Sequence, residues 1–536
     1  MHTEKSQEKP PQIEIVASDC SSDTPRDNVL QKRLKPRHVN LIALGGSLGV
    51  GLLIGSGGAL SIAGPVGMLI SYALMGLITM CTIFSLAEMC AYLGSEGNFI
   101  EIMARYVDRS TAFAFTWSNA LSFSLTLPSE ISSICLLIGF WDTEKKLPDY
   151  AIVLIFTFIV ILVNIVDVGA YGEVEFWVTM IKLILFIGCI LFCLIATSGG
   201  NPLHKKTGFQ YWRDPGPFVN YLTDKPVGKF LGVWRVLVNA GFGYQGSETI
   251  GLASGEVRNF RRLAPTIMKS VAIRVLTFNV VSLFMVSLMV ASNDSKLLNA
   301  VNSGAGNGAQ SPFVIAVENA GVKVLPSIIN GGILVAAFSA ANTQIYIPSR
   351  TYFYGAKYGF CPKWLVKTNK NGVPYYSVLF NGAFGLLALL TLNNTAAQVF
   401  NWLMNLVTEF GFICWALINY AFLRYYFGLQ KQGLDRNALS IYKSPLQPYS
   451  AIFACFMLVL VAITQGFTAF IPWDTQNFFA AYISLILYFM LWVGYKLWTR
   501  DFREIPLSLI DLSCPEDEED IEAGNTVTKV MDKIFA

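Results

Sequence analysis

The sequence predicts an all-α membrane protein with twelve transmembrane helices, and three observations lead to this fold class. The 536-residue chain is 53% hydrophobic and only 14% charged, whereas an ordinary soluble domain carries about 25% charged residues. Its apolar residues fall in twelve blocks, each of roughly the 18–25 residues that a helix needs to cross the hydrocarbon core. Most of these blocks are apolar all round, without the amphipathic period of a soluble helix.

The blocks divide the chain into a membrane domain and two polar tails. We expect residues 1–37 to form an N-terminal tail, residues 38–498 the twelve-helix domain, and residues 499–536 a C-terminal tail. The N-terminal tail lacks the apolar core of a cleavable signal peptide, and the composition of both tails predicts disorder. The twelve predicted spans lie at about 38–60, 66–92, 113–140, 150–168, 176–197, 230–253, 271–292, 326–352, 375–393, 397–423, 450–471 and 478–498.

The distribution of Lys and Arg predicts that both tails lie in the cytosol. Basic residues cluster before the first span and after the sixth, eighth, tenth and twelfth spans, whereas the connections between spans nine and ten and between spans eleven and twelve contain none. The positive-inside rule assigns the basic connections to the cytosolic side. The connection 198–229 is an exception with five basic residues, and we keep the topology because the rule is weighted toward short loops.

Glycine weakens the first span near its centre. Seven of the fifteen residues in "LGGSLGVGLLIGSGG" (44–58) are glycine, and each glycine inside a helix costs about 0.5–1 kcal/mol relative to alanine. One interpretation is close helix packing through small residues. The other is a discontinuous helix, whose freed backbone groups face a substrate or an ion.

The sixth span is also interrupted, which favours the second interpretation. Its sequence "VNAGFGYQGSETIGLASGE" (238–256) places glycines beside Gln245, Ser247 and Glu248. Spans one and six begin two five-helix halves, 38–197 and 230–423, and residues 450–498 add helices eleven and twelve. Interrupted helices at matching positions of two halves are typical of transporters built from an inverted repeat.

A few ionisable residues lie deep in the predicted spans and are candidates for function, because a charge at mid-bilayer costs at least ~2.5–3.5 kcal/mol. They are Glu88, Glu130, Lys182, Glu248 and Glu409. Lysine is the best candidate for a charge that is switched by proton loss, because its ammonium would bind the carbonyls of span one and release them on deprotonation. The alternative is a static ion pair with a buried carboxylate. Three arginines near span ends are interpreted as snorkelling to the interface: Arg235, Arg274 and Arg350.

Several motifs over residues 33–503 are similar to one family. They include "AGPVGMLISYALMG" (63–76), "YGEVEFWVTMIKLILFIG" (171–188), "GFGYQGSETIGLASGEVRN" (241–259) and "FSAANTQIYIPSRTYFYGAKYGFCPK" (338–363). Together and in this order, they make the chain resemble the fungal amino acid permeases, the yeast amino acid transporter family of the amino acid–polyamine–organocation superfamily. The resemblance implies the leucine-transporter-like fold, a 5+5 inverted repeat with broken helices 1 and 6.

The resemblance also implies a substrate site between the two breaks. The first break would offer backbone N–H groups to the substrate α-carboxylate, with help from the helix dipole, and the sixth would offer carbonyls to the α-ammonium. The matching positions in the first span are Ser47, Leu48, Gly49, Val50 and Gly51. Those in the sixth span are Phe242, Gly243 and Tyr244, with Phe242 as an aromatic gate.

Proton coupling is the second implication of the resemblance. Lys182 matches the family's coupling lysine in span five, and Ser339 and Asn342 match span-eight residues that would face it. Two further residues match family carboxylates, Glu130 at the substrate site and Glu248 in the coupling set.

Four features depart from the family pattern: Val50 in place of threonine, "SLAEM" (85–89) in place of "SLGEM", and the unexpected Glu409 and Arg235. We include Glu409 among the candidate substrate-binding residues, because a second deep carboxylate would favour a cationic amino acid. The alternatives are a protonated carboxyl bonded to a neighbouring helix, or an outer gate partnered by Arg235.

The sequence therefore predicts a proton-coupled amino acid importer of the plasma membrane rather than an enzyme. Its expected partners are an amino acid, protons, the lipid bilayer and, on the cytosolic tails, ubiquitin ligase machinery, with no nucleic acid. No cofactor or metal is expected, since most of the ten cysteines lie inside spans without metal-ligand spacing. The alternatives are an exchanger of an internal membrane, and a sensor on the same fold, which would carry a long extra N-terminal domain. A membrane-embedded enzyme would need His, Asp or Cys constellations that the spans lack.

Overall fold

The structure is a computed structural model whose described residues form helices joined by turns and loops. The described residues are Leu41, Gly45 and residues 49–513, apart from 95–96, 143, 145, 250, 253–259, 303–310, 393–394 and 440. Within these ranges the extended structure is one isolated β-bridge between Phe470 and Trp473. The predicted N-terminal tail and two of the five predicted first-break residues, Ser47 and Leu48, lie outside the described residues.

Sixteen α-helices are described. They are α1 (Val50–Leu53), α2 (Gly55–Leu93), α3 (Phe99–Tyr106), α4 (Arg109–Ile138), α5 (Asp149–Val166), α6 (Val168–Thr197), α7 (Gln210–Arg213), α8 (Val227–Tyr244), α9 (Phe260–Ser287), α10 (Ser295–Asn302), α11 (Pro312–Asn319), α12 (Leu325–Lys357), α13 (Tyr375–Phe384), α14 (Ala396–Lys431), α15 (Tyr449–Thr464) and α16 (Thr475–Thr499). Short 3₁₀ helices follow at Lys363–Val366, Gly385–Leu392, Arg436–Ala438, Gln465–Ala469 and Leu507–Leu509.

Ten helices in the described part of the chain are long and apolar enough to cross a membrane. They coincide with ten of the twelve predicted spans, and the two others are the first and the sixth, the spans that the glycines interrupt. Large apolar side chains on α5 and α6 point outward, as expected for surfaces that contact lipid. Phe158, Trp177 and Ile184 are each about two-thirds exposed, at 65%, 65% and 66%.

The first and second predicted spans meet at a turn inside α2. Gly64 has φ 75°, which favours glycine because a side chain would clash with its own backbone. Pro65 then starts the second span. The loop before α8 packs on this turn: Val66 N donates to Pro217 O at 3.0 Å, and Val219 N donates to Ala63 O at 3.2 Å.

The core is formed by two groups of helices. In the first, α2 packs along both α8 and α9, which are the sixth and seventh spans. In the second, α4 packs between α12 and α14. The helix α6 contacts both groups, through α9 and α12, and the candidate coupling lysine is on this helix.

Glu88, one of the deep carboxylates, takes part in a buried ion pair at the end of α2. Arg436 donates from Nε and Nη2 to its two oxygens at 2.6 and 2.7 Å. Ser444 donates from its backbone N and from Oγ at 2.7 and 2.6 Å. Glu88 itself is fully buried. These bonds anchor the connection between α14 and α15 to α2, so the role of Glu88 is structural.

The first part of the C-terminal tail is packed against the helices, in contrast to the disorder expected from its composition. Arg424 donates to Tyr106 O at 2.6 Å and to Glu504 Oε2 at 2.8 Å. Tyr92 donates to Leu512 O at 2.6 Å, and the side chain of Ile510 is buried. The segment 504–512 therefore joins the ends of α2, α3 and α14.

Arg436→Ala is expected to lower the melting temperature of the detergent-solubilised protein. Removing one partner of a buried ion pair costs about 3–5 kcal/mol, because the remaining charge is left uncompensated. The measurement is the loss of the monodisperse size-exclusion peak after heating. The matched control is Lys443→Ala, because Lys443 lies in the same connection and donates to the Asn437 carbonyl at the surface. Equal melting temperatures for wild type and Arg436→Ala would contradict the anchoring role of this pair.

Candidate substrate and coupling site

The sixth span leaves the helical conformation directly after Tyr244. Gln245 is extended, with ψ 148°, and Gly246 has φ 90°, a conformation that glycine adopts without strain. The sequence placed the break at 242–244, and the turn itself lies slightly later, at 245–248. The last carbonyls of α8 therefore lack the backbone N–H donors that a following helical turn would provide.

Other groups satisfy these carbonyls in part. The Phe242 carbonyl accepts from Gln245 N at 3.3 Å, the Gly243 carbonyl from Asn279 Nδ2 at 3.4 Å, and the Tyr244 carbonyl from Ser247 Oγ at 2.8 Å. Each carbonyl oxygen has a second lone pair. The end of α8 can therefore accept an ammonium group without losing its internal bonds.

The first break lies directly against the sixth. A Cβ added to Gly51 would lie 2.7 Å from Phe242 Cδ1 and 3.1 Å from Gly243 Cα, so a side chain at this position would clash with the Phe242 ring and press against the Gly243 backbone. Asn239 Nδ2 of α8 also donates to Gly55 O at 3.3 Å. The two breaks therefore pack directly against each other. Val50 belongs to the same segment, as the first residue of α1.

The aromatic candidates of the sixth span have different surroundings. Phe242 packs edge-on against Phe400 of α14, with 6.0 Å between ring centroids. Tyr244 instead donates from its hydroxyl to Tyr72 O of α2 at 2.9 Å. Phe242 therefore lies beside Gly51, as a gate residue would, whereas the Tyr244 side chain is used to hold α8 on α2.

Lys182 is fully buried on α6, and its side chain hydrogen-bonds to the backbone of the first span. Its Nζ donates to Gly45 O at 2.7 Å. One turn away, Thr179 Oγ1 lies 3.3 Å from Leu41 O and donates to it. Two carbonyls of the segment before the first break thus accept hydrogen bonds from one face of α6.

Glu175 is a site residue that the sequence analysis missed. It lies seven residues before Lys182, which corresponds to two helical turns and the same face, and it is fully buried. Ser339 Oγ donates to its Oε1. The predicted span began at 176, one residue too late to include it, whereas α6 begins at Val168. The spacing of seven from Lys182 was the signal that could have identified it.

The two α12 candidates adjoin Glu175. The hydroxyl of Ser339 bonds Glu175, and the Asn342 side chain interacts with the same carboxyl. Asn342 Oδ1 also accepts from Asn164 Nδ2 of α5 at 2.7 Å. The polar face of α12 is therefore joined to Lys182 through Glu175.

Glu130 lies between the first break and Lys182. Its side chain is 3% exposed, and Oε1 is 3.6 Å from the position that a Gly49 Cβ would occupy. Oε2 has no hydrogen-bond partner among the described residues. The Lys182 ammonium interacts electrostatically with this carboxyl. An ammonium donor placed beside Gly49 would find an unused acceptor here.

Glu248 and Glu409 face other helices. Glu248 is buried and hydrogen-bonds with Trp415 of α14. Glu409 is fully buried, and Gln465 Nε2 donates to its Oε2; the same amide donates to Ala481 O of α16 at 2.9 Å. This geometry favours the interpretation of Glu409 as a carboxyl bonded to a neighbouring helix.

Arg350 differs from the snorkelling interpretation, and Arg235, which is half-buried, contacts a neighbouring helix. Arg350 is only 2% exposed, and its guanidinium lies 4.0 Å from the centroid of the Tyr346 ring. Arg235 donates to Asn405 Oδ1 at 3.4 Å, so its described contact on α14 is with an amide four residues before Glu409.

A model of the amino acid permease family matches residues 38–505. The chain belongs to the amino acid permease family. It is 37% identical to the dicarboxylic amino acid permease of Saccharomyces cerevisiae over 472 residues, covering 87% of this chain and 77% of the relative. It is 36% identical to the basic amino-acid permease of the same yeast over 510 residues, covering 95% and 87%. The protein is thus a membrane transporter that imports amino acids, not an enzyme.

A solved structure shows the same fold at low sequence identity. The manganese transporter of Eremococcus coleocola superimposes with a TM-score of 0.53, at 12% identity, covering 87% of this permease and 94% of that chain. At this identity the likeness applies to the helical transporter fold alone.

Gly51→Ala is expected to abolish transport by this permease while leaving surface expression intact. The added methyl group would displace the Phe242 ring, 2.7 Å away, and push on the Gly243 backbone, which cannot rotate away as a side chain can. The measurement is radiolabelled uptake normalised to surface protein. The control is Gly188→Ala on α6, where a Cβ would have no heavy atom within 4 Å. Wild-type uptake by Gly51→Ala would show that the two breaks need not touch.

Glu409→Gln is expected to leave the ranking of substrates unchanged. Glutamine keeps an oxygen that can accept from Gln465, and the carboxyl that it replaces faces α16 rather than the breaks. Competition uptake with arginine, lysine, leucine, aspartate and glutamate measures the ranking in wild type and variant. A selective loss of competition by the two cationic amino acids would instead assign Glu409 to substrate selection.

Proposed function

We propose that this permease is a proton-coupled amino acid symporter of the plasma membrane, with both termini in the cytosol. The observation that supports it most is the bond from Lys182 Nζ to Gly45 O at 2.7 Å, on a lysine that is fully buried. The Lys182 ammonium donates to backbone just before the first break. Because this hydrogen bond depends on the proton that Lys182 carries, the lysine is suited to control the conformation of the break.

The coupling follows from what the ammonium does for the backbone. With its proton, Lys182 binds the carbonyl of Gly45, as a sodium ion would, and keeps this segment against α6. Without it, neutral lysine is a weaker donor to a carbonyl, and the segment is released. Substrate bound at Gly49 and Gly51 and the proton on Lys182 would then stabilise the same arrangement of the first span, which is the thermodynamic requirement for symport.

The architecture that we propose is the leucine-transporter-like 5+5 inverted repeat with twelve spans. Ten described helices satisfy the length and hydropathy of a span. The two interrupted spans, α8 and the segment around α1, would complete the twelve. They are the first members of the proposed halves 38–197 and 230–423, where discontinuous helices of inverted repeats are found.

For the substrate, we propose an α-amino acid bound mainly through its shared groups. Because Gly49 and Gly51 carry no side chains, the first-span backbone can offer its N–H groups to a carboxylate. The carbonyls of Phe242 and Gly243 and the free oxygen of Glu130 provide acceptors for the α-ammonium. Relatives with nearly the same identity, 37% and 36%, are named for dicarboxylic and for basic amino acids. Overall similarity therefore does not select the charge of the substrate side chain.

Lys182→Ala is expected to abolish concentrative uptake and retain substrate exchange. One proton entering down ~100 mV contributes about 2.3 kcal/mol, and each pH unit adds about 1.4 kcal/mol. Together they support accumulation of a neutral amino acid by roughly a few hundredfold. Uptake in permease-deficient yeast is measured between external pH 7 and 5, with and without a protonophore.

Lys205→Ala, in the exposed connection after α6, is the control for removing a lysine. Wild-type uptake should rise as the pH falls and collapse with the protonophore. Sodium-dependent uptake that ignores the protonophore, or full accumulation by Lys182→Ala at normal surface levels, would refute the proposal.

A further inference from the structure

A buried carboxyl on α6 is not explained by packing or by substrate binding. Glu175, Thr179 and Lys182 form one polar face over two helical turns, and each is 0% exposed. Neighbouring residues of α6, such as Trp177 and Ile184, face outward. An ionisable group held inside a membrane domain is costly unless another charge or several hydrogen bonds compensate it.

Glu175 and Lys182 lie against the same residue of the first span. Lys182 Nζ donates to Gly45 O, and a Cβ on Gly45 would lie 2.8 Å from Glu175 Oε1. The Gly45 backbone thus fills the space beside both groups. While it is present, it supplies the acceptor for the ammonium.

The carboxyl is only partly satisfied by uncharged donors. Ser339 donates to Oε1, and Thr179 lies 3.4 Å from the same oxygen. Oε2 is buried without a hydrogen-bond partner in the described part of the chain. A carboxylate has about four lone-pair sites on its two oxygens, so Glu175 retains the capacity to bind a proton.

Polar and charged groups from four elements surround this pair: α6 itself, α4, α12 and the first span. Lys182 interacts electrostatically with Glu175 on its own helix and with Glu130 on α4. From α12, Glu175 meets the uncharged Ser339 and Asn342. The first span presents the carbonyls of Leu41 and Gly45 to this face of α6. One turn before Glu175, Tyr171 donates to Thr343 at 3.3 Å and continues the polar face.

We propose that Glu175 accepts the transported proton from Lys182 and delivers it toward the N-terminal end of α6. The inference rests on the proton coupling proposed above. An N–H bond of the ammonium breaks and an O–H bond forms on the carboxylate, so that both side chains become uncharged. The proton then leaves Glu175 for water, and the carboxylate charge is restored.

The position of Glu175 gives this transfer a direction and a gate. Glu175 is closer than Lys182 to the N-terminal end of α6, by seven residues or about 10 Å along the helix axis. This end of α6 is cytosolic in the proposed topology. The gate is Gly45: when this part of the first span moves away, the ammonium loses its carbonyl and Glu175 becomes the acceptor on the same helix face. Proton release is thereby linked to the movement that opens the cytosolic side.

The test compares Glu175→Gln with Glu173→Gln in the purified full-length protein reconstituted into liposomes. Both variants lose one carboxyl on the same helix, but Glu173 lies on a different face and is partly exposed. Two modes are measured with radiolabelled amino acid: accumulation driven by an inward proton gradient, and counterflow exchange without a gradient. Glutamine can still accept from Ser339 but cannot take up a proton.

Accumulation by Glu175→Gln should fall by about tenfold or more, because the gain from the coupled proton is lost. Its counterflow should stay within about twofold of wild type, and Glu173→Gln should match wild type in both modes. Unchanged accumulation by Glu175→Gln overturns the inference and leaves the symporter proposal intact. Parallel loss of accumulation and counterflow overturns it in favour of a structural role. Wild-type protein that does not accumulate substrate in a proton gradient refutes the symporter proposal and the inference together.

If Glu175→Gln does not give monodisperse protein, Ser339→Ala tests the same step. Losing the hydroxyl that bonds the carboxylate favours the protonated form of Glu175. The pH at which accumulation is half-maximal should therefore rise, while the pH profile of counterflow stays the same. Identical pH profiles for accumulation in Ser339→Ala and wild type overturn the inference.

Discussion

Backbone N–H and C=O groups inside a bilayer must find partners within the protein, and the site of this permease depends on that constraint. The sixth span can leave its helix at Gln245 because Asn279 and Ser247 bond the freed carbonyls of Gly243 and Tyr244. The segment before the first break is held in the same way, by Lys182 and Thr179 of α6. The buried polar residues around the breaks are therefore what permits non-helical backbone at membrane depth.

Hydropathy and glycine spacing predicted the parts of the structure that depend on local sequence. Ten spans follow from apolar length, and the turn at Gly64 and the break after Tyr244 occur where glycines and polar residues interrupt that pattern. In each case the information lies within one stretch of chain.

The contacts that were not predicted join residues far apart in sequence. Gln465, the partner of Glu409, is 56 residues away, and Arg436 is 348 residues from Glu88. Hydropathy estimates how deep a residue lies but not which neighbour it faces, so it could not distinguish a pocket carboxyl from one bonded to Gln465 in the connection between α15 and α16. Glu175 was lost for a different reason: an apolar window ends where a charge occurs, even when the helix continues through it.

The two breaks are stabilised by donors of different chemistry, and this difference suits them to different tasks. Asn279 and Ser247 carry no charge that titrates, so their bonds to the sixth span persist at any physiological pH. Lys182 can lose its bond to Gly45 O by losing one proton. In the symport mechanism that we propose, a change in proton binding would act on the first span while the sixth keeps its shape. Because the substrate would contact both spans, movement of one relative to the other would change the affinity of the site and couple the proton to the amino acid through Gly45.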